Sequence, residues 1–188
     1  MADNTAYLPI HTRFMIGGKT ELLPKNSRQP FEIMVGYDGY IGKSYVAGSI
    51  GAGLKNFSDE DGWTFPNTEV FLAADRKTVN LQDAMVAAVR ELEKKDSLTY
   101  GDVIHLEGFG EILTKDCNLD YIALVYPSFL LPLYIPVKVV DVFTAWAWLV
   151  PVSEPEADYI RKNGWDEFWN LTGHEDCDLL NISRDSVI

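Results

Sequence analysis

Several short stretches of this sequence set reactive side chains at spacings that chemistry uses. His105-Leu106-Glu107 has the H-x-E form in which a zinc-bound water works beside a glutamate acid–base. A deaminase site of that kind also requires P-C-x-x-C, and Cys117 and Cys177 are isolated from each other and from any further cysteine. His174-Glu175-Asp176-Cys177 gathers four metal-binding side chains, but no second pair at helical or C-x-x-C spacing completes a tetrahedral set. Asp59-Glu60-Asp61-Gly62 has the composition of a calcium loop. Registering Gly62 as the turn glycine puts Phe57 and Thr68 where the first and last carboxylates belong, so a solvated turn is expected instead.

The glycine-rich run from Gly36 to Gly53 (GYDGYIGKSYVAGSIGAG) invites comparison with a phosphate-binding loop. The pattern G-x-x-x-x-G-K-S would need a glycine at Tyr37, and Gly36 is one residue too far from Gly42. The run leads into a strand-like segment, so no helix N-terminus is there to face a phosphate. Turns and close backbone approach account for the glycines. For nucleophilic catalysis there is no G-x-S-x-G elbow. Cys117, next to Asp116, has only Lys115 nearby to depress a thiol pKa. An enzyme is left only as an alternative in which the fold assembles His105, Glu107, Asp116 and Cys117. No cofactor and no metal are expected.

The elements that would position these residues can be read from hydrophobic periodicity. Strands are expected over Phe31–Val35, Ser44–Ile50, Thr68–Ala74, Val103–Leu106, Glu111–Thr114 and Tyr121–Tyr126. The strongest strand pattern is Val139–Val152 (VVDVFTAWAWLVPV), β-branched and aromatic throughout. A helix is expected over Leu81–Lys94, with Asn80 as N-cap, Asp83 in the first turn, and Leu81, Met85, Ala88, Val89 and Leu92 on one stripe. Ser153 and Glu156 have the spacing of a capping box that opens a second helix, Gly164 stops it, and Trp165–Leu171 makes a third. The uncharged stretch Tyr121–Val137 is cut by Pro127, Pro132 and Pro136. It therefore reads as two buried strands around a proline-rich turn, not as a membrane span. Strands and helices interleave without βαβ regularity. The expected class is α+β: one domain, a mixed or mostly antiparallel sheet, and two or three packed helices. Residues 1–30 are set apart as an N-terminal extension and first strand region, with the domain proper over residues 31–188.

The chain has 188 residues and a formal charge of −12. That balance excludes a sequence-independent grip on nucleic acid or on an anionic membrane. The acids are unevenly placed. From Pro151 onward nine of them face only Arg161, Lys162 and Arg184. No basic segment leading into an apolar run opens the sequence, and two lone thiols make no disulfide framework, so a cytoplasmic protein is expected.

The order of elements in the last third, VVDVFTAWAWLVPVSEPEADYIRKNGWDEFWNL, resembles the suppressor-of-fused-like domain family in its bacterial, single-domain form. An aromatic strand runs into Leu149-Val150-Pro151, then a capped acidic helix, a glycine and a second short helix. The ending Asp178-Leu179-Leu180-Asn181-Ile182-Ser183-Arg184-Asp185-Ser186-Val187 is similar to the closing motif of that family. Tyr45–Gly51 resembles its strand leading into a glycine, and Thr68–Ala74 with the Leu81 helix resembles its acid-bearing strand and long helix. The resemblance spans roughly residues 31–188. It implies binding rather than catalysis: the eukaryotic relative sequesters transcription factors, and bacterial relatives resemble immunity proteins. The expected function is therefore a protein-binding domain, an immunity-type inhibitor of a basic toxin whose approach the acids would steer. The expected partner surface comprises Glu154, Glu156, Asp158, Tyr159, Trp165, Asp166, Glu167 and Trp169. The alternative binding mode is addition of an extended peptide to a sheet edge, by a regulatory or scaffold protein.

Overall fold

The computed structural model of the chain describes residues 7–39, 42–55, 57–59, 61–75, 80–115, 117–127, 137–139, 142–172 and 178–188. Its centre is a strand that could hardly be placed elsewhere. β11 (Val142–Val152) is buried from Thr144 to Val152, so it needs cover on both faces and a partner on both edges. Those partners are β6 (Asn67–Ala74), parallel, and β9 (Tyr121–Val125), antiparallel. Outward from β6 come β3 (Gly42–Ile50), β2 (Glu32–Gly39) and the edge strand β1 (Lys19–Leu23), each antiparallel to its neighbour. Outward from β9 comes β8 (Val103–His105), the opposite edge. The short β10 (Val137–Val139) folds back on the start of β11. A second small sheet joins β4 (Phe57–Ser58), β5 (Thr64–Phe65) and β7 (Leu98–Thr99).

Alternation along the central strands divides the core into two. Val70, Leu72, Ala147, Leu149, Ile122 and Leu124 face α2 (Leu81–Leu92) and α3 (Phe109–Leu113). Phe71, Ala73, Trp146, Trp148, Val150, Ala123 and Val125 face the other way, toward α1 (Tyr7–Ile16), α4 (Glu154–Asn163) and α5 (Trp165–Thr172). The result is a three-layer α+β domain with a mostly antiparallel sheet, which is the expected class. The helices number five among the described residues, where two or three were expected. α1 lies in the segment set apart as an extension, and β1 of that segment is the edge of the main sheet.

Four local expectations change. The Glu111–Thr114 segment is not a strand but the end of α3. Gly108 enters the helix in the left-handed region (φ 70°), and Phe109, Gly110 and Leu113 bury one face. Gly110 has no room for a side chain, since a β-carbon would overlap the Cys117 carbonyl. The long strand begins at Val142 rather than Val139, because Val137–Val139 turns back as a hairpin partner. The Leu81 helix ends at Leu92, two residues early, and the strand expected over Phe31–Val35 runs instead over Glu32–Gly39. Of the proline-rich stretch, Pro132 and Pro136 lie outside the described residues, while Pro127 is buried. The capping box is present as expected: the Ser153 hydroxyl accepts from the Glu156 N–H at 3.5 Å, and the Glu156 carboxylate accepts from the Ser153 N–H at 2.8 Å.

Candidate partner-binding site

The candidate surface is built on the α4–α5 corner. Pro155 sits in the first turn of α4, and Gly164 (φ 88°) ends the helix with its N–H bonded to the Ile160 carbonyl. The chain then turns directly into α5, whose Phe168 is fully buried and locks the corner onto Trp148, Val150 and Ile160. Around that anchor Trp165 and Trp169 remain half-buried. Their rings lie 6.0 Å apart, and Trp165 is 5.5 Å from Phe168. Tyr159 is also half-buried, 6.4 Å from Phe168. Glu154, Asp158, Asp166 and Glu167 are exposed. Asp166 and Glu167 occupy the first turn of α5, where the positive end of the helix dipole favours them.

Glu156 does not belong to that surface. It is fully buried, and its carboxylate accepts two hydrogen bonds from the Arg184 guanidinium at 3.0 Å, besides those from Ser153 and Val187 N–H. Arg184, itself 7% exposed, also donates to the Pro151 carbonyl. The pair pins the segment 178–188 across the start of α4, helped by contact between the Ser153 and Ser186 hydroxyls at 2.8 Å. A carboxylate so used is not available to a partner, because removing one member of a buried pair strands the other charge. The acidic count after Pro151 thus overstates the acidity of the surface.

A cleft of about 740 Å³ opens beside the corner. Trp165, Asp166 and Trp169 line it from α5, Arg161 and Gly164 from the end of α4, and Tyr100, Asp102 and Tyr126 from the sheet side. Tyr100 and Tyr126 meet edge to face at 5.3 Å, and the Tyr100 hydroxyl donates to the Trp146 carbonyl. Among the described residues, Arg161 is the one basic side chain in this lining. Its guanidinium donates to Asp158 at 3.0 Å and lies over the Tyr121 ring at 5.1 Å. β8 borders the same cleft through Val103. The Leu106 N–H bonds the Asp120 carbonyl, and the Asp102 carbonyl accepts from Leu124 N–H. In this register the even residues bond β9, and the main-chain groups of Val103 and His105 face the outer edge, where no strand pairs among the described residues.

Of the residues of the enzymatic alternative, His105 and Cys117 line one cleft of about 710 Å³. His105 is exposed, with its ring tilted 4.7 Å from that of Tyr121, and Glu107 is exposed as well. Cys117 is buried and donates to the Ile182 carbonyl at 3.2 Å. Burial pushes its thiol pKa up; the Leu119 N–H pulls partly against this, the Asp120 charge adds to the rise, and Arg184 opposes it least. That is the reverse of an activated nucleophile. Asp116 and the His174–Cys177 cluster lie outside the described residues. Among the described residues no group of His, Cys, Asp or Glu is arranged to hold a metal, and no helix is long and apolar enough to cross a membrane.

Two residues that organise the fold are not singled out by sequence. Glu69 is fully buried in β6, and its carboxylate accepts from the Ser49 hydroxyl (2.6 Å) and from the N–H groups of Gly51, Ala52 and Gly53. Its one sequence signal is an acid inside an otherwise apolar strand. Arg184, the partner of Glu156, is signalled as the lone base of the acidic ending and as a member of the closing motif, not as a partner of Glu156.

These geometric findings agree with what the chain is similar to. The family model described as Suppressor of fused protein (SUFU) matches residues 55–185. No curated protein matches in sequence. In three dimensions the chain is similar to a putative SUFU homolog from Neisseria gonorrhoeae FA 1090, with 13% identity and a TM-score of 0.70, covering 100% of this chain and 98% of that one. It is also similar to a chain of the Sufu-Fu complex: 14% identity, TM-score 0.65, 98% of this chain and 92% of that one. Drosophila Suppressor of Fused gives 14% identity and a TM-score of 0.56, with 90% of this chain covering 42% of that protein. With the acid-bearing strand, the capped acidic helix and the closing arginine segment all in place, and a family model matched over most of its length, the chain belongs to the suppressor of fused family.

Proposed function

We propose that the chain is a non-catalytic protein-binding domain, an immunity-type inhibitor that neutralises a basic toxin. The observation that carries this reading is the α4–α5 corner, where half-buried tryptophans stand among exposed carboxylates. Aromatic anchors ringed by charge are the anatomy of a protein interface, and a net charge of −12 speeds the approach of a cationic partner. A relative crystallised in the Sufu-Fu complex lends support, since that protein is seen with a protein partner. The test is co-expression with the product of a toxin-like neighbouring gene. The expected result is rescue of growth and a complex whose association slows by an order of magnitude or more as salt rises from low to physiological strength. Absence of rescue and of complex would sink the proposal.

The open edge of β8 supports a second reading, peptide binding by strand addition. Proline at position 105 would remove an outward N–H while leaving the bonds to β9 intact. His105→Pro therefore abolishes binding in the strand-addition mode and leaves the α4–α5 mode unchanged.

A further inference from the structure

The cleft beside the α4–α5 corner has a chemistry more specific than a general acidic surface. Resting on the reading that this corner meets a protein partner, we propose that the cleft receives one cationic side chain, arginine or lysine, from that partner. The indoles of Trp165 and Trp169, 6.0 Å apart at one wall, offer π faces whose negative potential attracts a cation. The exposed carboxylate of Asp166 on the same turn supplies the counter-charge, and Tyr100 and Tyr126 add further aromatic surface.

The only base lining the cleft among the described residues is already neutralised. Arg161 is tied to Asp158 at 3.0 Å and rests on Tyr121. Asp102 also lines the cleft, with its carboxylate accepting from the Thr99 N–H at 2.7 Å. The balance of charged groups around the opening is therefore negative, and the walls are aromatic. A neutral apolar segment would leave Asp166 facing apolar surface, and an anion would meet like charge. A guanidinium or ammonium carried on an aliphatic stem satisfies both the ring faces and the carboxylate.

The test uses the full chain and three short peptides, acetyl-Gly-X-Gly-amide with X as arginine, lysine or citrulline. The readout is the set of indole N–H signals of its five tryptophans. The expected result is a saturable shift of the Trp165 and Trp169 signals with the arginine or lysine peptide, and none with the citrulline peptide, which keeps shape and loses charge. Asp166→Asn and Trp165→Leu should each weaken the response by about two- to fivefold. Arg161→Gln, which frees the Asp158 carboxylate from its ion pair, should strengthen it. Asp166 is exposed, so its replacement leaves the fold intact even if a change at Trp165 does not. Equal shifts with citrulline, or a response unchanged in Asp166→Asn, overturns the cationic site. A basic partner that still binds an Asp166→Asn, Trp165→Leu chain with full affinity refutes this site while leaving partner binding itself standing. Loss of every partner complex in the unaltered chain refutes the broader reading instead.

Discussion

At Glu69 a carboxyl group buried to zero exposure is used as a staple for a turn. Burial pushes its pKa above the ordinary carboxylate value, while the Ser49 hydroxyl and the three N–H groups of residues 51–53 pull it back. Deleting the side chain leaves these donors unpaired in a partly or fully buried setting. Glu69→Ala should cost about 2–4 kcal/mol in urea unfolding. Glu69→Gln, which keeps one acceptor oxygen, should cost less. Equal stability of Glu69→Ala and the parent would show that water takes over the bonds. Single residues are the least legible part of the sequence. Glu156 and Glu154 are two positions apart in an acidic run, yet one is buried against Arg184 and the other is exposed. That difference is made by residues 178–188 folding back over the helix start, a long-range contact that local spacing does not encode. Trp165 and Trp169 are legible in type and helical spacing. Only the packed corner shows that they are half-buried cleft walls.

Among the elements, those written by local rules are legible in the sequence. The caps of α2 and α4, the glycine stop at Gly164 and the continuous apolar runs of β6 and β11 all depend on a few neighbouring residues. α3 escapes a local reading because Glu-Ile-Leu-Thr has a strand-like composition, and its helical form depends on Gly110 fitting against the Cys117 carbonyl. α1 shows the same dependence from the other side. Side chains at Gly36 and Gly39 would overlap Ile16, and one at Gly48 would press on Thr12, so the glycine-rich sheet is a seat for a helix. This explains the glycines that sequence could only assign to close approach. In that seat the His11 ring lies 4.7 Å from Trp146, and burial lowers its pKa below 6.5. A depressed folded-state value means that folding favours the neutral ring. The stabilisation is present above pH 6.5 and is lost as pH falls through the folded-state pKa. Urea midpoints should therefore drop on acidification toward about pH 5, and His11→Phe should flatten the His11 contribution to that dependence. A variant with the same pH profile as the parent would rule out His11 as its source.

For the whole molecule, composition is informative about class and misleading about distribution. The α+β reading rests on the irregular order of strands and helices, and the single large sheet bears it out. Strand order is not readable, because the parallel pairing of β6 with β11 is chosen by burial and not by any local turn. That pairing joins residues far apart: the Asn67 side chain donates to the Thr144 hydroxyl across 77 positions. A native state dominated by such contacts is expected to refold in milliseconds to seconds rather than microseconds, as followed by tryptophan fluorescence in stopped flow. A microsecond phase carrying the full amplitude would contradict the topology.

The position of β11 also bears on the birth of the protein. It is an interior strand of the sheet and is translated after both of its neighbours. A nascent chain that has emerged only as far as β9 therefore carries two apolar strands, β6 and β9, with the edges meant for β11 unpaired. Such edges are templates for pairing with other chains. Premature termination before Val142 would then yield no smaller working domain but an aggregation-prone fragment, which makes complete translation a condition of solubility for this fold.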